Sequence, residues 1–120
     1  MSKLKWKDIQ HITEIGSTDN LCNIDVYEAN TEIKYDEDVI FAFGVNVFSE
    51  TDLETGEQII TASYSPQGLY NDVYVPLDAA DTRYASIEDA KKACEDKVKE
   101  ILEFLYIQLE PHINRMACSE

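Results

Sequence analysis

Positive charge is almost missing from the first two thirds of this chain. Among residues 8–82, Lys34 is the single basic residue against sixteen acids, a formal −15. Residues 1–7 carry Lys3, Lys5 and Lys7 without an acid, and residues 83–120 carry eight acids and six bases, so the parts sum to a net charge of −14. A stretch so poor in cations cannot line a groove that neutralises phosphates, which excludes direct nucleic-acid binding as an expectation.

Cysteine is scarce as well. Cys22, Cys94 and Cys118 are odd in number, widely spaced and form no CxxC pair, which excludes a disulfide scaffold and a compact structural zinc site and points to a reducing, cytoplasmic compartment. Cys22 and Cys94 fall on apolar periodic faces and read as core. Four glycines and three prolines make no linker or repeat, so residues 1–120 are expected to form a single domain. No apolar run is long enough to span a membrane, and the opening MSKLKWK leads into polar residues rather than a signal-peptide core.

Recognisable catalytic chemistry is also lacking. There is no GxxxxGK[ST], GxSxG, HExxH or dinucleotide glycine signature, and neither His11 nor His112 stands beside a nucleophile and an orienting acid. The cluster Glu50-x-Asp52-x-Glu54-x-x-Glu57 lacks the spacing of a helix-flanked calcium loop, and Gly56 is accounted for by a turn. The expectation is a non-enzymatic protein with no cofactor and no metal.

What the chain does have is material for a core: 44% hydrophobic residues, seven tyrosines, four phenylalanines and a tryptophan. Leu4, Trp6, Ile9, Ile12 and Ile15 recur every two or three residues, which predicts a short helix over 6–13. Residues 21–34 read as one long strand, with Cys22, Ile24 and Val26 on one side and Asp25 and Tyr27 on the other. Residues 39–48 are the strongest strand, joined through a hairpin with Gly56 at positive φ to a return strand whose Ile60, Ala62 and Tyr64 share a face. Residues 69–77 suggest another short strand, confined to an edge by Pro76.

Ser86 is a natural N-cap, with Glu88 and Asp89 in the first turn of a helix whose inward stripe runs through Ile87, Ala90, Cys94, Val98, Ile101, Leu105 and Leu109. Pro111 is expected to end it, leaving 111–120 as a short helical turn or flexible tail. The predicted fold class is α+β: a small antiparallel sheet of three to four strands covered by a long C-terminal helix, with a short N-terminal helix.

The function expected from this pattern is inhibition by charge. Asp36, Glu37, Asp38, Glu50, Asp52, Glu54, Glu57, Asp72, Asp78 and Asp81, with Tyr70 and Tyr74 as uncharged contact area, could present a negative array to a basic protein, a nuclease or another nucleic-acid-binding protein. Carboxylates would then occupy the arginines and lysines that otherwise hold phosphate, so the chain would act as a nucleic-acid mimic. The alternative is an acidic adaptor or structural interaction module. Leu102, Phe104, Tyr106 and Ile107 lie outside the central helix stripe and could join two copies into a homodimer. In format and composition, though in no motif, the chain resembles viral counter-defence proteins and the immunity proteins that neutralise nucleases. That resemblance implies an inhibitory protein interaction, in the host cytoplasm for a viral chain.

Overall fold

The computed structural model describes residues 4–16, 19–66, 73–79 and 82–118. Five strands and one helix follow in order: β1 (Lys7–Ile15), β2 (Leu21–Tyr35), β3 (Asp38–Asp52), β4 (Gln58–Ser65), β5 (Val75–Pro76) and α1 (Ile87–Cys118). Sheet order repeats sequence order and every neighbouring pair is antiparallel, so the sheet is a meander that stays open at β1 and β5.

The N-terminal helix expected over 6–13 is a correction: those residues enter β1. A β-bulge between Asp8 and Gln10 leaves Ile9 out of the pairing, and beyond it Ile12 and Ile15 fall on opposite faces of the strand, so the three-residue spacing that imitates a helix marks no single buried stripe. Ile9, Ile12, Thr13 and Ile15 are also β-branched, and pairing with β2 decides in favour of the strand. The long single strand expected over 21–34 is present as β2, with its own register shift between Ile33 and Lys34.

The β3–β4 hairpin forms as its sequence predicts. Gly56 adopts φ of 75°, a left-handed conformation that a residue without Cβ tolerates, and its N–H donates to the Asp52 carbonyl at 2.8 Å. At the other end of β3, Asp36 takes φ of 55° in the turn that joins β2. Pro76 does lie in an edge strand, where its missing donor faces no neighbour.

One face of the sheet carries the core. Ala29 of β2, Phe43, Val45 and Val47 of β3, and Ile60 and Ala62 of β4 pack with Ala90, Cys94 and Val98 of α1. The Phe43 and Tyr64 rings stack at 5.3 Å, and Lys91 Nζ sits 4.6 Å from the Tyr27 ring and 5.5 Å from that of Trp6, tying the N-terminal segment to the helix. Burial pushes the Cys94 thiol up to about 12, so this cysteine behaves as an apolar filler.

Ser86 caps the helix by accepting from the Asp89 N–H at 3.0 Å. Pro111 does not stop it: residues 111–118 continue α1 to Cys118. The proline deprives the Ile107 carbonyl of its partner, but Ile107 is 63% exposed, so water can take that bond where a buried carbonyl could not. The helix therefore has 32 residues, about 48 Å. Its first half covers the sheet; Leu109, Ile113 and Met116 of its second half stay exposed. Among the described residues no helix is long and apolar enough to cross a membrane.

Candidate protein-interaction surface

The second face of the sheet is read from the strand register, because side chains alternate between faces at every residue. Opposite the helix, cross-strand rows run Glu14–Cys22–Asp52, Ile12–Ile24–Glu50–Ile59, Gln10–Val26–Phe48–Thr61, and Lys7–Glu28–Asn46–Ser63. The second and third rows line a shallow cavity of about 450 Å³, apolar through Ile12, Ile24, Val26, Phe48 and Ile59. Its charged lining residues are Glu14 and Glu50. The Tyr74 ring meets that of Phe48 edge-on at 6.5 Å.

Polar groups at one end of the trough are unusual. Asn46 is fully buried with neither amide atom bonded, and the hydroxyls of Ser63 and Ser65 and the Asn30 side-chain oxygen have no hydrogen-bond partner among the described residues. Buried polar atoms left without partners are costly, so this row holds desolvated groups beside an apolar floor.

At the other end, Gly16 permits close packing between the β1–β2 loop and β3. A Cβ there would meet the Glu50 carboxylate and stand 2.7 Å from Cys22 Sγ. Glu50 is thereby held against the loop. On the helix-facing side of the same sheet edge, His11 Nδ1 lies 2.6 Å from Asp25 Oδ1. That hydrogen bond, with the Asp25 and Asp8 charges, raises the His11 pKa above its ordinary 6.5.

The acids singled out from the sequence do not form one patch. Asp36, Glu37 and Asp38 lie at the β2–β3 turn, whereas Glu50, Asp52, Glu54 and Glu57 lie at the far end of β3. The fourteen residue steps from Asp38 to Asp52 separate the groups by roughly 46 Å along the strand. Asp52 leaves the surface set altogether: it is 2% exposed and anchors the turn by accepting from the Glu54 and Thr55 N–H groups at 2.8 and 3.1 Å and from Asn20 Nδ2 at 3.0 Å. Glu57 approaches Arg83 at 3.9 Å, and Asp78 accepts the Tyr84 hydroxyl at 2.7 Å. Tyr70, Asp72 and Asp81 lie outside the described residues.

The trough is hidden in the sequence because the Ile9–Ile12–Ile15 spacing of its outer strand imitates a helix. The alternation Gln10–Ile12–Glu14 is the signal that would have found it. No group of three or more side chains suited to hold a metal ion occurs among the described residues.

Fold and surface together define a class: a small acidic α+β protein with an open, acid-edged sheet face. No family model matches the chain, and neither a curated protein nor a solved structure does.

Proposed function

We propose that this protein is a non-enzymatic binding module that occupies a basic, nucleic-acid-handling protein and so keeps nucleic acid from it. The observation that carries the reading is the trough on the open sheet face, an apolar floor whose charged lining is carboxylate. Apolar contact supplies a desolvated centre and the surrounding negative charge selects a cationic partner, the usual division between affinity and specificity at an interface. The net charge of −14 adds long-range steering toward such a partner.

In this form recognition rests on Glu14, Glu28 and Glu50 around the trough rather than on one continuous row of all the acid-rich turns. Competition with nucleic acid remains the mechanism: lysines and arginines of the partner that engage these carboxylates are unavailable to phosphate.

The test is retention of proteins from a native lysate on the immobilised chain, followed by elution with a short DNA or RNA duplex. Basic proteins should be retained and the duplex should release them. Glu14→Lys with Glu28→Lys should weaken retention at least about tenfold, while Glu37→Lys with Glu54→Lys, at the distant turns, should have a smaller effect. Retention unaffected by the first pair, or a retained set that no duplex displaces, would count against the reading.

A further inference from the structure

Ten of the sixteen large exposed apolar side chains among the described residues lie on the β2–β3 ribbon or on the second half of α1. α1 begins beside β4, where the Tyr84 N–H donates to the Ile60 carbonyl, and reaches the level of Asn46 at Cys94, whose Sγ lies 4.0 Å from the Asn46 carbonyl. Ile60 pairs with Ser49, so the helix advances along β3 toward the β2–β3 turn. From Cys94 to Cys118 it travels about 36 Å, while β3 from Asn46 to Asp38 covers about 26 Å.

Beyond the end of β4, which pairs only as far as Gly44, residues 31–35 and 38–43 form a two-stranded ribbon that no further strand joins among the described residues. Two unfinished elements therefore project together. Ribbon residues Ile33, Tyr35, Val39 and Ile40 are 44–71% exposed, and on the helix Leu109, Ile113 and Met116 are 55–77% exposed. Neither element is stable alone: an isolated two-stranded ribbon is marginal in water, and a bare helical segment of this length frays.

The geometry points to a second copy of this chain as the cover for this end, in a two-fold pair whose helix ends lie antiparallel. Leu102, Leu105, Leu109, His112 and Met116 alternate at steps of three and four residues, the spacing of a helix-to-helix seam. On a helical projection Pro111 and Ile107 lie on the opposite side, so the bond lost at the proline does not disturb the seam. Of the residues proposed from sequence for an oligomer contact, Leu102 and Tyr106 belong to the seam side, and Phe104 and Ile107 do not.

Area and charge select this occupant. Counting about 100 Å² of open surface for each of the eight exposed apolar side chains that remain when Phe104 and Ile107 are set aside gives roughly 800 Å² per chain, the share each partner gives to an interface of ordinary size. Residues 101–118 carry Glu103, Glu110 and Arg115 as their only formal charges, so two copies meet along the helices with little repulsion, and the acids of the ribbon tip, Glu32 and Asp36 to Asp38, make the pairing stronger as salt is added. Antiparallel helices also leave the two acidic sheets at opposite ends, whereas parallel ones would place them side by side.

Sedimentation or light scattering over a range of concentrations tests the pair. The chain should run at twice its 13.7 kDa mass. Leu109→Glu should convert it to monomer with its circular dichroism essentially kept, because Leu109 is 55% exposed and outside the core. Ile33→Glu should weaken the pair, and Leu53→Glu, an exposed apolar residue of the β3–β4 turn, should leave it intact. Spin labels on Lys99→Cys in a Cys118→Ser background, with ten residues on each side of a two-fold at Leu109, should lie about 30 Å apart. A monomer at every concentration, a Leu109→Glu variant that still pairs, or labels in near contact would overturn the proposal.

Discussion

Two residues test how the sheet handles polarity. Asn46 is fully buried with both amide atoms unbonded among the described residues, in a central strand where a β-branched side chain would fit. Replacing Asn46 with Val removes that unmet desolvation, and we expect chemical denaturation to show a gain of about 1–3 kcal/mol. A loss of stability instead would mean the amide is satisfied, for example by ordered water. His11 is the converse, an exposed group with a partner. Its pKa is raised mainly by the Asp25 hydrogen bond, so the interaction stabilises the fold fully below the ordinary value of 6.5 and fades as pH rises through the higher folded value. Titration by NMR should place the imidazole midpoint above 6.5, and Asp25→Asn should return it toward that value.

At the scale of elements, α1 divides into a half fixed by the sheet and a half that is not, and Pro111 lies in the second. Pro111→Ala restores an intrahelical bond that is favourable by up to about 3 kcal/mol locally. Residues 111–117 are all exposed, so the gain should appear as increased helical circular dichroism and slower amide exchange over residues 107–118, with the denaturation midpoint in a Leu109→Glu background barely moved. A large midpoint shift in that background would show that the helix end is coupled to the core. The same helix marks what sequence could and could not tell. Its N-cap at Ser86 and its stripe through Ala90, Cys94 and Val98 were legible because local chemistry and burial agree there. Its end was not, because the local cost of a proline does not by itself decide where a helix stops: the freed Ile107 carbonyl is open to water and α1 continues to Cys118. β1 was illegible for another reason: Ile9 sits in a bulge and Ile12 and Ile15 on opposite faces, so a spacing of three that looks helical is spread over both sides of a strand. The trough went unseen with it, since half of its outer wall is β1.

The whole molecule is long and narrow, 68 × 27 × 25 Å, and its acid-rich turns lie far apart along it. Register separates the acid-rich turns to opposite ends of β3, a relation that residue spacing alone cannot reveal because a strand and a compact loop place the same acids differently. Dispersed like charge makes salt a discriminating variable. Within the folded chain, sixteen acids against one base in residues 8–82 repel one another, and screening to roughly 0.5 M salt shortens the range of that repulsion to a few ångströms. The ion pairs that salt would weaken in return, such as His11–Asp25 and Lys92–Asp96, are exposed and individually small. Repulsion therefore wins, and thermal unfolding should move to higher temperature as sodium chloride is added. A complex with a basic partner must respond in the opposite sense, since screening removes its attraction. Melting and binding measured across one salt series should consequently diverge. A midpoint that falls with salt would show that attractive pairs already balance the excess acid, and a partner affinity indifferent to salt would mean the apolar trough acts without help from its carboxylates.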